Sequence, residues 1–299
     1  MLSGLGDLGT LIPYLLGYIL VVGMPAQQVF GLMGLLLMGI GTLYRLPMPV
    51  QPMKAIGALA ILASAAGQPH VQTLLVMSSL LTAAVWLAFA LIPAVSSAIK
   101  RLPPWVPHLI AIALGVSMIY SAVTSLLAGH LPGQIAHDTT LTGQPRTESL
   151  SLEAIWSMVL AQGASSWMLA LTWVAIQLPL TVGNACLATH AQVQHYFPDQ
   201  SVSVSRIAFS TGLMNAVAGL LGGFPVCHGV GGLAGYRMMG ARTALPVVTV
   251  GTLLLVLGVG FPEFSTQWLM QIPSWLISSL LAWAGAYLAY GALKRLRST

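Results

Sequence analysis

The sequence predicts an all-α polytopic membrane protein with about ten membrane elements in two inverted repeats. The first observation behind this prediction is composition: 57% of the 299 residues are hydrophobic and 6% are charged, against about 25% charged in soluble domains. The second is a set of continuous apolar runs, such as 71–95 and 109–128, which lack the alternation of a membrane β-barrel. The third is the position of the basic residues relative to these runs.

The predicted membrane elements follow from the extent of each apolar run and from the prolines, glycines and charges that bound it. The first five are 2–22, 26–44, 53–66, 71–95 and 105–128. The second five are 166–195, 202–221, 229–239, 243–260 and 272–293. The first element lacks the basic start of a signal peptide, so we expect it to be retained.

The segment between the first five and the second five elements decides how the two halves are oriented in the membrane. A polar loop at 129–151 precedes the apolar segment 152–162, which is about half a span long. We interpret 152–162 as an interfacial helix, with a full extra span as the alternative. The chain then divides into a first inverted repeat at 1–128, a loop and interfacial helix outside the cytoplasm at 129–165, and a second inverted repeat at 166–299.

The basic residues support this division. With the N-terminus in the cytoplasm, the cytoplasmic side receives Lys100, Arg101, Arg206, Arg237, Arg242, Lys294, Arg295 and Arg297, while Arg146 falls outside. This is a positive-inside distribution, and it places both termini in the cytoplasm of a cell (inner) membrane. Because each half has an odd number of elements, the two halves have opposite topology. Basic residues that are few and scattered do not indicate nucleic-acid binding, despite a net charge of +5.

A proline-rich break precedes the third element. Prolines 47, 49 and 52 disfavour a helix, so we expect an extended chain up to Pro52. A helix over 53–66 would span about 21 Å, which is less than the ~30 Å hydrocarbon core, so its N-terminus should lie inside the membrane. Its N–H groups and dipole would attract an anion, with Lys54 adding charge and Gln51 an amide donor. The alternative is that Lys54 extends to the cytoplasmic surface.

A glycine-rich break at 222–232 precedes the eighth element. Gly229 allows the backbone to approach a ligand closely, and His228 could donate a hydrogen bond, carry charge or relay a proton. The alternative for His228 is a buried structural histidine. Cys227 joins the candidate site by its position, although a small buried hydrophobe is its ordinary role. Paired breaks in the two halves of a membrane protein are a sequence pointer to a transporter's binding site.

Two further helices carry polar residues that we expect to face the breaks. Gln177, Thr181 and Asn184 are spaced i, i+4 and i+7, which places them on one helical face. The alternative is that they hold helices together. In the first element, Thr10 is a candidate ligand. Asp7 could couple transport to a proton or cation, or it could mark the cytoplasmic end of the helix.

With these motifs identified, the chain resembles the molybdate transporter family, which is related to the sulfate permease superfamily. The resemblance is carried by GDLGT at 6–10, PMPVQPMK at 47–54, QLPLTVGN at 177–184, GLMN at 212–215 and PVCHGVGGLAG at 225–235. It implies a core like that of sulfate, bicarbonate and nucleobase transporters. In that core two half-helices point at each other near the membrane midplane, with the substrate between them. The related superfamily also implies a homodimer.

We therefore expect a secondary active transporter of a tetrahedral oxyanion, most simply molybdate, that works by alternating access in the lipid bilayer. The expected substrate ligands are Gln51, Lys54, Gln177, Thr181, Asn184, Cys227, His228, Gly229 and Thr10, with Asp7 as the coupling candidate. Alternatives are a transporter of sulfate or another anion, and an anion channel. A further alternative is an intramembrane enzyme using Cys227 and His228, for which no positioned carboxylate is evident. No phosphate loop, metal spacing or cofactor motif is present in the sequence.

Overall fold

The computed structural model describes residues 8–92, 105–128, 151–200 and 202–296, and these are mostly helical. The first part of the chain forms α1 (Leu8–Leu20), α2 (Ala26–Tyr44), strand β1 (Gln51–Pro52), α3 (Lys54–Ala65), α4 (Val71–Leu91) and α5 (Val106–Ala128). The second part forms α6 (Leu152–Leu160), α7 (Ala164–Leu180), a π-helical segment (Thr181–Ala188), α8 (Thr189–Tyr196), α9 (Val204–Leu220), strand β2 (Val226–Cys227) and α10 (Val230–Met238). The chain continues with α11 (Leu245–Leu255), a second π-helical segment (Val256–Gly260), α12 (Pro262–Met270) and α13 (Ser274–Leu296).

The described helices have the apolar length that membrane crossing requires. Three are long and apolar enough to cross a bilayer: Ala26–Tyr44, Val71–Leu91 and the continuous Ala164–Tyr196. A fourth candidate joins α11 and its π-helical extension to α12 across a bend of 102°. Helices α5 and α13 have 23 residues each, or about 35 Å at 1.5 Å per residue. The predicted class, a helical membrane protein, is confirmed, while the count of ten elements and the repeat stay predictions.

Of two short helices, the sequence analysis predicted α6 and missed α12. Helix α6 has nine residues, about 14 Å, which is less than the ~30 Å hydrocarbon core, and the interfacial position of 152–162 stays a prediction. Its start is capped by Ser151, whose hydroxyl accepts a hydrogen bond from the Ala154 N–H at 3.1 Å. Helix α12 was not among the predicted elements, although Pro262 at its first position and Glu263 in its first turn are ordinary helix-start signals.

Three helix pairs make the most extensive packing contacts: α5 with α13, α4 with α9, and α2 with α11. In the α2–α11 pair, a Cβ on Gly34 would come within 2.6 Å of the Gly251 carbonyl oxygen. Gly115 and Gly285 bring α5 and α13 together in the same way. Small residues allow this close backbone approach, which supplies the van der Waals contact that holds membrane helices together.

The two breaks of the sequence meet in the interior of the molecule. Strands β1 and β2 pair in antiparallel register, with Gln51 opposite Cys227 and Pro52 opposite Val226. The Met53 N–H extends this pairing by donating to the Pro225 carbonyl at 2.9 Å. Helices α3 and α10 follow directly after the two strands. Because the strands are antiparallel, the chain enters α3 and α10 from opposite ends of the pairing of β1 with β2, which we call the crossing.

Candidate functional site

The start of α3 is held by a side chain from α7. The Gln177 Oε1 accepts hydrogen bonds from the N–H groups of Ala55 at 2.7 Å and Ile56 at 3.3 Å. The Gln177 Nε2 donates to the Thr181 Oγ1 at 2.8 Å, and both side chains are buried. First-turn N–H groups have no acceptor within their own helix. Gln177 therefore caps α3 from a neighbouring helix, and Thr181 fixes the orientation of its amide.

Asn184, the third member of the predicted polar stripe, lies in the π-helical segment Thr181–Ala188 and is half-buried. Pro179 precedes this segment and has no N–H to continue the α-helical ladder. The wider turn is visible at Thr189, whose hydroxyl donates to the Asn184 carbonyl, five residues back, at 3.1 Å. The α-helical spacing therefore holds between Gln177 and Thr181 and changes before Asn184. Such π-helical turns are frequent at functional sites.

Lys54 is the first residue of α3 and is partly exposed. Its Nζ lies 5.7 Å from the ring centroid of Tyr287 on α13, a cation–π distance. Tyr287 also reaches the other half-helix, because a Cβ on Gly231 of α10 would lie 3.2 Å from the Tyr287 hydroxyl oxygen. The sequence analysis missed Tyr287, which no motif separates from the other aromatic residues of its helix.

Gln51 and Gly229 bring the first break against the start of α10. Gln51 is 2% exposed, and a Cβ on Gly229 would overlap its side-chain amide, with Nε2 only 2.9 Å away. Gly229 has φ −124° and ψ 119°, an extended conformation that any residue adopts. The requirement for glycine at this position is therefore one of space. The amide of Gln51 lies where α10 begins, across the crossing from its own half-helix.

His228 is fully buried, and both of its ring nitrogens have protein partners. Its Nδ1 lies 2.9 Å from the Pro49 carbonyl oxygen, so this nitrogen is the donor. Its Nε2 lies 2.8 Å from the Ser210 Oγ, which in turn is 2.7 Å from the Tyr44 hydroxyl. His228 thus links the second break to the first break and to α9. This is the placement expected of the structural histidine that the sequence analysis kept as an alternative.

Asn215 is a second buried link, and the sequence analysis did not assign it a role. Its Nδ2 donates to the Val226 carbonyl at 2.7 Å, and its Oδ1 accepts from the Val226 N–H at 3.0 Å. Asn215 is fully buried in α9, and its amide occupies the place that a neighbouring strand would take beside β2. An amide in the interior of an apolar helix is the signal that could have identified it.

The remaining predicted site residues are placed as follows. Cys227 lies in β2 opposite Gln51 and is 6% exposed. Thr10 lies in α1, and its side chain is outside the described part of the chain. Asp7 lies outside the described residues. The structure therefore brings Gln51, Lys54, Gln177, Thr181, Cys227, His228 and Gly229 around the crossing of β1 and β2.

Comparison with known proteins identifies the family. Residues 1–118 and 169–288 match the family described as "Molybdate transporter of MFS superfamily", and this match includes both breaks and Gln177. The chain belongs to the molybdate transporter family. Molybdate transporter 2 of Arabidopsis thaliana is 29% identical to it, over 96% of this chain and 77% of that protein.

Two other members of the family match shorter segments. Molybdate transporter 1 of Arabidopsis thaliana is 36% identical over 39% of this chain and 25% of its own length. Molybdate transporter 1 of Chlamydomonas reinhardtii is 34% identical over 38% of this chain and 23% of its own length.

The fold has a counterpart among solved structures. The transmembrane domain of the cyanobacterial bicarbonate transporter BicA matches with a TM-score of 0.67, covering 98% of this chain and 89% of that domain. At 16% identity this likeness concerns the fold alone. Membership of the molybdate transporter family makes this chain an anion transporter, and its long apolar helices make it an integral membrane protein. The intramembrane-enzyme alternative is excluded, because the family and the relatives are transporters.

Proposed function

We propose that this protein is a secondary active transporter of molybdate that binds the oxyanion at the crossing of β1 and β2 and works by alternating access. The observation that carries the proposal is the meeting of the two breaks, which gathers two helix N-termini and Lys54 in one place. Helix N-termini favour anions through their N–H groups and dipole. Lys54 adds the full positive charge that a dianion requires.

The two helix starts offer different groups to an anion. At α3, Gln177 already accepts hydrogen bonds from the N–H groups of Ala55 and Ile56. At α10, the N-cap residue Gly229 has no side chain to cap the helix, and positions 231 and 232 are also glycines, so no side chain of their own covers their N–H groups. We therefore place the anion nearer to α10, with Lys54 approaching it from α3 and the Gln51 amide beside it.

The two inverted repeats, at 1–128 and 166–299, are part of the same proposal. They are supported by the way the helices pair. Exchanging each element of the first half with its counterpart in the second converts the α2–α11 pair into the α9–α4 pair, and it maps the α5–α13 pair onto itself. The β1–β2 pair also maps onto itself. Cytoplasmic termini, a coupling proton or cation and a homodimer remain predictions from the sequence.

The proposal is tested by isothermal calorimetry on the purified protein with molybdate, tungstate and sulfate. We expect saturable binding of molybdate and tungstate and weaker binding of sulfate. Lys54→Ala should lower molybdate affinity by more than about tenfold, because it removes the charge at the site. Lys294→Ala, which removes one charge at the exposed end of α13, is the matched control and should bind like wild type.

Three results would contradict parts of this proposal. Preferential sulfate binding would assign the same site to sulfate. Absence of oxyanion binding by a well-folded sample would overturn the substrate class. In proteoliposomes, conductance without saturable molybdate uptake would favour the anion channel over the transporter.

A further inference from the structure

We infer that Tyr287 is a specificity-determining residue of the anion site, with its hydroxyl bound to the oxyanion and its ring positioning Lys54. The inference rests on the proposed function, because it assigns a ligand to the same site. Tyr287 lies on α13, apart from both breaks and from the helix that carries Gln177. It would give the site a third side, opposite the two half-helices.

The position of Tyr287 is defined from both half-helices. The Lys54 Nζ lies 5.7 Å from its ring centroid on the α3 side. On the α10 side, its hydroxyl oxygen is 3.2 Å from the place where a side chain on Gly231 would begin. These two contacts place one aromatic side chain at the first turns of both half-helices. Its own ring stacks on Trp283, one turn earlier in α13, with the centroids 5.9 Å apart.

The chemistry of a tyrosine suits this place. An aromatic ring attracts the Lys54 ammonium through its quadrupole and is itself neutral, so it can position the ammonium without cancelling its charge. Its phenol hydroxyl can donate a hydrogen bond to an oxyanion oxygen. Tyr287 is 44% exposed, so the side chain as a whole is not enclosed by its neighbours. Because position 231 is a glycine, an anion at the start of α10 can approach this hydroxyl closely.

The same geometry predicts an effect on selectivity. Tetrahedral oxyanions of equal charge differ mainly in size, and a binding site discriminates between sizes through the distance between its opposite walls. Lys54 and the start of α10 form two walls, and Tyr287 forms the third. Shortening the side chain at 287 should therefore reduce the preference for the larger molybdate over the smaller sulfate.

The test compares the wild-type chain with Tyr287→Phe, Tyr287→Leu and the control Tyr290→Phe, by calorimetry with molybdate and with sulfate. Tyr290 lies on the same helix, is 69% exposed, and loses the same hydroxyl in its variant. We expect Tyr287→Phe to weaken molybdate binding about tenfold through loss of a hydrogen bond to a charged ligand. Tyr287→Leu should weaken it further and lower the ratio of molybdate to sulfate affinity. Tyr290→Phe should bind like wild type.

The outcomes separate this inference from the proposed function. If wild type binds molybdate, Lys54→Ala does not, and both Tyr287 variants bind with wild-type affinity and selectivity, the role of Tyr287 is wrong and the site stands. If the wild type binds no oxyanion, both are overturned. Unfolding temperatures of all variants show whether an effect comes from lost folding. If Tyr287→Leu does not fold, Tyr287→Phe still tests the hydroxyl, because it keeps the ring and its packing.

Discussion

The two half-helices start from paired strands, but their first turns are completed by different means. Helix α3 begins with a charged residue, Lys54, and its first N–H groups are bonded by Gln177 from α7. Helix α10 begins at Val230, and its N-cap residue, Gly229, provides no side-chain cap. Its support comes before the helix. Asn215 bonds to Val226 of strand β2, and His228, which follows the strand, bonds to the Pro49 carbonyl.

This difference indicates a division of roles within one crossing. At α3 the N–H groups of Ala55 and Ile56 are already bonded to Gln177, so the main group that α3 would offer to an anion is the charge of Lys54. At α10, positions 229, 231 and 232 are glycines and have no side chains that could cover their N–H groups. The group that α10 would offer to an anion is therefore the backbone N–H. An anion bound between them would draw charge from one half of the chain and hydrogen bonds from the other. Three substitutions, beyond those at Lys54 and Tyr287, test this comparison.

The largest effect is expected for Asn215→Leu, which would release the strand before α10. The leucine leaves the buried N–H and carbonyl of Val226 without the partners that Asn215 provides. Each of the two unsatisfied buried backbone groups costs about 1–3 kcal/mol, so the variant should lose about 2–6 kcal/mol of stability. Thermal unfolding in detergent measures this loss.

The matched control is Thr211→Val, one turn earlier on α9. Its hydroxyl donates to the Ile207 carbonyl of its own helix at 2.8 Å and supports no other element among the described residues, so its removal should cost much less. Equal unfolding temperatures for the two variants would show that the amide of Asn215 does not support the second break.

A smaller effect is expected for Gly229→Ala, which tests the space at the start of α10. The new methyl group would overlap the amide of Gln51, and because this amide ends a flexible side chain, we expect it to move while the fold is retained. Molybdate affinity should fall about tenfold, equivalent to about 1.4 kcal/mol, as the amide leaves the site. Calorimetry measures the affinity.

Two further variants decide the cause of that loss. Gln51→Ala should weaken binding to a similar extent, and combining it with Gly229→Ala should add little, because both act on one amide. Gly39→Ala, where the new methyl group would meet no described atom within 4 Å apart from those of its chain neighbours and its own helix backbone, should leave binding unchanged. Additive losses in the double variant would mean that Gly229 acts independently of Gln51.

The smallest effect is expected for Thr181→Val, which tests the capping of α3. Valine removes the acceptor of the Gln177 Nε2 hydrogen bond but leaves the cap itself in place. We expect a loss of about 0.5–1.5 kcal/mol in unfolding free energy, the usual net value of one hydrogen bond. Thr172→Val is the control, since the exposed Thr172 hydroxyl bonds only to the Met168 carbonyl of its own helix. Identical stability of the two variants would show that Thr181 does not orient Gln177.

The sequence by itself determined the membrane class, the two breaks and the residues within them. Apolar length, proline and glycine act on the local chain, so their consequences can be predicted without knowing what packs nearby. This is why Lys54 was located at the first turn of a short helix, and why Gln51 and Gly229 were placed beside the breaks. The same motifs carried the resemblance to the molybdate transporter family.

Only the tertiary structure decided which group each polar side chain meets. Gln177 caps a helix that begins more than 120 residues earlier in the chain, and His228 bonds to the Pro49 carbonyl, 179 residues away. The helical spacing placed Gln177 and Thr181 on one face, but the π-helical segment altered that spacing before Asn184. Tyr287 comes near Lys54 and Gly231 only through the way α13 packs in the fold. Such contacts depend on which helix faces meet, and a local pattern contains no information about the distant partner.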